Sequence, residues 1–255
     1  MTVVLPPWLA EIPAEQPYPP VFTTVSGAHL YGFPSVDSDV DLRGVHILPA
    51  KEVVGLRTGE ETLALSRVRH GVEVDLVTHD LVKFCRLLLR RNGYVLEQLL
   101  SPLVVSTSPV HEEMIAAVPG CLTRHHAHHY LGFARTQWRL FERSGELKPL
   151  LYTFRVLLTG IHLMRGGAVV ADLTRLTGLV TGVPPYLADL MAAKRSAEHG
   201  PPPAGAPDRA RLGDDVARLT GELQEAWHAS RLPGTTTSTE VLHDLVVRTR
   251  LAASG

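Results

Sequence analysis

Cysteine is nearly absent: Cys85 and Cys121 stand alone in 255 residues, in no metal-ligand spacing. That excludes a disulfide framework and fits a reducing compartment. Long apolar runs are missing too, since nothing approaches the roughly eighteen consecutive apolar residues of a membrane-crossing helix. The N-terminal MTVVLPPWLAEIPAEQPYPP has no basic start followed by a long apolar core, so the expectation is a soluble cytoplasmic chain with no membrane partner. An excess of either charge is absent as well: 25 Lys plus Arg against 26 Asp plus Glu leave a net charge of −1. This removes the global electrostatic case for coating nucleic acid, and any polyanion has to be met locally. No internal repeat is visible. The composition, 45% hydrophobic and 20% charged, is that of a globular protein large enough for one big domain or two modest ones.

What the chain does have is concentrated in residues 25–45, VSGAHLYGFPSVDSDVDLRGV. Two glycines, Gly27 and Gly32, are followed by a Pro/Ser/Asp loop and then by Asp39-Val40-Asp41. In an extended segment side chains alternate, so Asp39 and Asp41 project on one side while Val40 and Leu42 enter a core. Two carboxylates on one face repel unless a cation sits between them, and hard oxygen ligands suit Mg²⁺ or Mn²⁺. The same DSD run is also good turn chemistry.

The period around this stretch is that of strands. Residues 21–27 (VFTTVSG) read as a strand feeding a glycine turn, 28–32 as a single helical turn, and 40–48 as the next strand. Residues 51–68, with Gly55 and Gly59, read as a loop with strand pieces. Residues 72–78 (VEVDLVT) alternate cleanly, with Glu73 and Asp75 on one face and Val72, Val74 and Leu76 on the other. From residue 80 the period becomes helical: 80–91, 94–100, 110–117, 122–143, 150–165, 185–199, 210–231 and 240–252, with breaks at Pro119-Gly120, Ser144-Gly145, Gly166-Gly167 and 200–207. A strand-rich portion therefore precedes an all-helical one, with a soft boundary at 102–120.

These residues carry a resemblance. Gly27-Ala28, ten intervening residues, Asp39-Val40-Asp41-Leu42 and a later Asp75 in a hydrophobic strand resemble the nucleotidyltransferase superfamily that includes DNA polymerase β. More narrowly, Gly-x-x-x-Tyr-Gly at 27–32, Asp37-Ser38-Asp39-x-Asp41-x-Arg43-Gly44-Val45, VDLVTHDLVKFCRLLLRRNGYVLEQLLSP and LGFARTQWRL are similar to the RNA repair pathway DNA polymerase β family. The resemblance implies an α+β fold: a small mixed-sheet nucleotidyltransferase core over residues 1–105, then a helical domain over 106–255 that closes the nucleotide cleft. It implies that Asp39 and Asp41 bind two divalent ions, Mg²⁺ or Mn²⁺, and that Asp75 completes the site near the attacking group. It further implies that the turn at Gly27 and Ala28, with Ser26 and His29, holds an NTP such as ATP, and that groups of the helical part among Gln137, Arg139, Lys148 and Arg155, Lys148 and Arg155 foremost, contact the triphosphate or base. One departure stands out, because the family's Gly-Ser is Gly27-Ala28 here and only Ser26 offers a nearby hydroxyl.

The implied reaction is transfer of a nucleoside monophosphate from an NTP to a hydroxyl, with release of pyrophosphate. The family label favours an RNA or tRNA end as acceptor; a small molecule or a protein side chain competes, and a non-catalytic nucleotide sensor is a different class of reading. Other residues divide in the same way. Glu73 shares the face of Asp75 and is an alternative ligand. Tyr31 stacks on a base or packs beside the turn, and Arg43 reads as a structural partner of the acidic loop. In the run His125, His126, His128 and His129, the pair His125 and His129 shares a helix face, but no Cys or acidic residue is placed as a further zinc ligand. Lys83, Arg86, Arg90 and Arg91 either guide a polyanion or form a solvated helix flank, and Trp138 and Trp227 read as core.

Overall fold

The alternating pattern ends at residue 80 because a sheet ends there. A computed structural model describes residues 5–252; the first four residues of the proline-rich lead-in and the last three residues lie outside it. The strands are β1 (Pro20–Val25), β2 (Val40–His46), β3 (Thr62–Arg69), β4 (Val72–Asp80) and β5 (Val104–Ser106). They form one mixed sheet in the order β3-β4-β2-β1-β5, in which β2 and β4 run parallel and the other neighbours are antiparallel. With the helices that follow, this is the α+β architecture expected from the sequence. One sheet face buries Val25, Leu42, Val74 and Leu76 against Leu9 and Ile12 from the 3₁₀ turns at Pro7–Glu11 and Pro13–Glu15. Each such side chain contributes about 1.5–3 kcal/mol relative to exposure. Because successive side chains alternate, that burial turns Asp41, Arg43 and Asp75 to the opposite face.

Two local expectations are corrected. Residues 62–69 are a full strand rather than pieces in a loop, pairing with β4 from Thr62 opposite His79 to Arg69 opposite Val72. It is an edge strand whose residues are all only partly buried or exposed, so it lacks the apolar contrast that marks β4. It turns through His70 and Gly71, both at positive φ (51° and 77°), the handedness that tight hairpins require. The second correction is at Pro119-Gly120, where the helix α4 (Pro109–Cys121) does not break. Its last carbonyls are answered from outside the helix: Ser238 Oγ donates to Ala117 O at 2.7 Å, and Thr236 Oγ1 and Thr237 N donate to Gly120 O at 2.7 and 2.8 Å.

Those bonds draw the last helix, α10 (Thr239–Ala252), back to the sheet. The chain forms two compact units: over the described residues, one gathers everything up to Gly27, Asp39–Leu122 and the residues from Thr235 onward, and the other gathers Ala28–Ser38 and Thr123–Gly234. The first unit holds α2 (Leu81–Leu89), α3 (Gly93–Leu99), α4 and α10. In the second, α6 (Leu147–Gly166) is buried on nearly every side, and α5 (His126–Ser144) and α9 (Arg209–Ala229) approach it so closely at Gly160 that a Cβ there would lie 3.0 Å from Tyr130 and 2.9 Å from Leu223. The short helix α7 (Leu173–Leu179), capped by Asp172, is an addition to the sequence reading, and α8 (Leu187–Ser196) falls within the expected 185–199.

Asp80 is the keystone of the first unit. Its carboxylate caps α2 by accepting from Val82 N at 3.0 Å, accepts from Leu48 N at 3.0 Å, and takes Arg250 Nη2 on both oxygens at 2.8 Å. Both side chains are nearly fully buried. Asp80→Ala is expected to cost about 3–5 kcal/mol, as removal of one partner from a buried ion pair does, measured by urea unfolding.

Candidate active site

The acidic face is assembled around a glycine. β1 and β2 pair so that Val25 lies opposite Leu42, and one residue on Ser26 N donates to Asp41 O at 2.8 Å. Gly27 then turns at φ +59°, and a Cβ placed on it would meet Asp41 Oδ2 at 1.9 Å. No other residue fits there. Ser26 is fully buried, and its hydroxyl has no hydrogen-bond partner among the described residues.

β2 and β4 then bring the second carboxylate alongside. Their parallel register sets Asp41 opposite Asp75, and Asp39 stands one residue before β2. The charge between the strands is answered from within the chain. Arg43 Nη2 reaches Asp41 Oδ1 at 2.5 Å, Nη1 donates to Leu42 O and Asp75 O at 2.8 Å, and Nε donates to Tyr94 OH at 3.3 Å. Burial alone would pull the Arg43 guanidinium down, but Tyr94 and Asp41 more than offset it and raise its pKa. Asp39, Asp41 and Asp75 offer the hard oxygen donors that a divalent cation requires. In this arrangement Asp41 is engaged by Arg43, and among the described residues no three His, Cys, Asp or Glu side chains converge on a common metal position.

The other residues singled out from the sequence belong to the second unit. Ala28 is buried and His29 half-buried on α1 (Gly27–Tyr31). Arg155 is 2% exposed, with its guanidinium 3.7 Å above the ring of Tyr31, and Tyr152 meets that ring edge-on at 5.3 Å. Of the two readings of Tyr31, this geometry is packing. Lys148 Nζ donates to Glu198 Oε1 at 2.7 Å. The same carboxylate takes Lys194 Nζ at 2.6 Å, Ser35 Oγ at 2.5 Å and Ser38 Oγ at 3.0 Å. Burial pushes the Glu198 carboxyl up, but these four donors hold it well below the usual carboxylate range. Sequence reasoning missed Lys194, Glu198 and the two serines. The i, i+4 pairing of Lys194 with Glu198 was a visible signal, whereas the link to residues 35 and 38 is non-local.

The histidine run resolves into packing. His125 and His128 stack at 5.8 Å, His128 meets Trp227 edge-on at 4.5 Å, and His129 packs against Tyr130 and Phe133. Burial first, then His126 and Arg155, push His129 down to about 4. The run supplies no set of three ligands among the described residues.

The chain is similar to known proteins in the following respects. The RNA repair pathway DNA polymerase beta family matches residues 1–248. An uncharacterized protein of Methanocaldococcus jannaschii is 34% identical over 157 residues, which are 60% of this chain and 63% of that protein, so the chain spans less than two thirds of that relative's length. The crystal structure of a nucleotidyltransferase-like protein from Exiguobacterium sibiricum aligns with 86% of this chain and 72% of its own at 12% identity, with a TM-score of 0.32.

Two predictions arise from this geometry. Gly27→Ala is expected to cost about 1–3 kcal/mol from its left-handed backbone alone, and more because the new methyl displaces Asp41. Gly71→Ala, at φ +77° with nothing within 4 Å, carries only the backbone component, so thermal melts should rank Gly27→Ala as the more damaging. For pH, the folded-state pKa of His129 lies below its ordinary 6.5, so the unfolded chain takes the proton first and stability falls as pH drops from 6.5 towards about 4. His129→Leu should flatten that slope in urea titrations at stepped pH.

Proposed function

The chain belongs to the RNA repair pathway DNA polymerase beta family, a nucleotidyltransferase-like group, and from that premise we propose that it moves a nucleoside monophosphate from an NTP to a hydroxyl acceptor, releasing pyrophosphate. The observation that carries the reading is the parallel register of Asp41 with Asp75, beside a glycine turn that only a residue without a side chain can make. Asp39, Asp41 and Asp75 are the residues that would hold two Mg²⁺ or Mn²⁺ ions. Such ions, when bound, offset the charge that builds on the attacking and leaving oxygens of an in-line displacement.

The chain's own groups supply the rest of the proposed chemistry. Asp75 accepts the proton of the attacking hydroxyl as that oxygen bonds to the α-phosphorus, and the bond to the pyrophosphate oxygen breaks. Arg43 fixes the rotamer of Asp41 through Oδ1 and keeps the two acidic strands in register. With Ala28 in place of a serine, Ser26 is the hydroxyl residue proposed for the turn; it is fully buried and has no partner among the described residues. Lys148 and Arg155 remain the proposed contacts of the helical unit to the nucleotide, and His29 that of α1. An RNA or tRNA end is the favoured acceptor; the net charge of −1 is the observation that favours a small molecule or a protein side chain instead.

Asp39→Asn and Asp41→Asn should each lower NTP-dependent pyrophosphate release by roughly 10³-fold or more, the kinetic equivalent of several kcal/mol of transition-state stabilisation. The assay pairs each NTP with Mg²⁺ or Mn²⁺ and with RNA, protein or small-molecule acceptors, and EDTA should abolish the signal. Equal release by the wild type and the Asp39→Asn/Asp41→Asn double variant would dispose of the transferase reading.

A further inference from the structure

A chain with a net charge of −1 can hold a polynucleotide only where its cations gather. Several of its basic side chains are already answered. Arg67 and Arg69 pair with Glu15 and Glu11, Arg86 with Glu61, and Lys148 and Lys194 with Glu198. Arg90 and Arg91 follow the carboxyl end of α2, where the helix dipole favours a cation.

The helix α5 is different. Arg135, Arg139 and Arg143 recur every fourth residue on its exposed side, while His126, Ala127, Tyr130, Ala134 and Phe141 are buried. At 3.6 residues per turn this is a stripe rather than a belt, about 12 Å from Arg135 to Arg143 along the axis. None of the ion pairs among the described residues involves any of the three. Glu142 is the single acidic residue of α5, and Arg209 at the start of α9 donates to its carbonyl oxygen at 2.6 Å, bringing a fourth guanidinium to the same end. Like charges four residues apart slightly oppose the helix they stand on, so Arg135 and Arg139, both mid-helix, gain nothing from each other. A ligand carrying negative charges in a row relieves that repulsion.

Shape and chemistry beside the stripe point to one kind of ligand. Thr136, Arg139, Glu142 and Arg143 line a surface hollow of about 430 Å³, and Arg135 shares a smaller one of about 180 Å³ with the half-buried ring of Trp138 and with Thr220 and Gln224 of α9. A basic track with a half-buried aromatic ring beside it, one that also packs on Phe141, is in keeping with surfaces that hold single strands. We propose that the arginine stripe of α5, with Trp138 beside it, docks the sugar–phosphate backbone of a single-stranded polynucleotide. The inference rests on the transferase reading only in taking the docked strand to be the acceptor.

The test is fluorescence anisotropy of the full chain with a short labelled single-stranded RNA across a salt series. Arg135→Gln/Arg139→Gln/Arg143→Gln keeps helix propensity, so its circular dichroism should be unchanged while affinity falls by about tenfold or more and the slope of log K against log salt shrinks by about 2, the value for three lost phosphate contacts on a single strand. Should the triple variant be less stable, Arg139→Gln alone is expected to lower affinity measurably. The inference is overturned if the wild type does not bind at low salt, if the variants bind with wild-type affinity and slope, or if polyglutamate displaces the RNA as well as unlabelled RNA does. Binding requires neither NTP nor divalent ions, so Asp39→Asn/Asp41→Asn protein should retain it. Docking without transfer would then condemn the transferase reading alone, and transfer without docking would condemn this one.

Discussion

The parallel pairing of β2 with β4 is the constraint on which the first unit depends. It sets two carboxylates, Asp41 and Asp75, on neighbouring strands at the same level and on the same face. Neighbouring strands lie about 4.8 Å apart, and like charges at such separations repel by a few kcal/mol in partly buried surroundings. A fold that keeps this register needs a cation within reach. Arg43 is that cation because it lies two residues beyond Asp41 on the same strand and so shares its face. Its guanidinium bonds the Asp41 carboxylate and the Asp75 carbonyl together, which ties the strands as well as balancing the charge.

The register itself is fixed from the other side of the sheet. A slip of one residue between β2 and its neighbours would turn Leu42 out to the acidic face and bury Asp41 against Leu9 and Ile12. Hydrophobic burial therefore positions the polar chemistry, although no apolar residue takes part in it. Asp80 continues the logic at the far end of β4, where the strand, the first helical turn after it, the segment at Leu48 and the returning helix α10 all meet one carboxylate. The chain closes its first unit with residues from both of its ends because α10 carries Arg250, the cation that Asp80 requires.

Much of this was legible in the sequence, for physical reasons that also explain what was not. The alternation at 72–78 is readable because Val72, Val74 and Leu76 share one face of β4, which assigns Val74 and Leu76 to one side and Asp75 to the other. The long helices were readable because each keeps an apolar stripe over several turns. Arg43, read from the sequence as a structural partner of the acidic loop rather than a substrate ligand, does bond Asp41. By contrast β3 has no contrast between its faces and turns on His-Gly rather than on a stronger hairpin pair, so nothing local announced it. The passage of α4 through Pro119 depends on hydroxyls from residues 236 and 238, and the anchoring of Ser35 and Ser38 depends on Glu198. Contacts across such sequence separations leave no periodic trace. The register of Asp41 with Asp75 is of this kind too: sequence placed both residues on strands, but only the strand order made them neighbours.

The departure at Ala28 reads differently once burial is known. Ala28 is 6% exposed, so a serine there would bring a second hydroxyl into a buried turn where Ser26 already buries one with no partner among the described residues. Leaving a buried hydroxyl unpaired costs roughly 1–3 kcal/mol, and replacing it with an apolar group of the same shape is close to neutral or stabilising. On stability alone, then, alanine belongs at position 26 as well as at 28. The chain instead keeps one unsatisfied hydroxyl next to the glycine that touches Asp41, and removes the other.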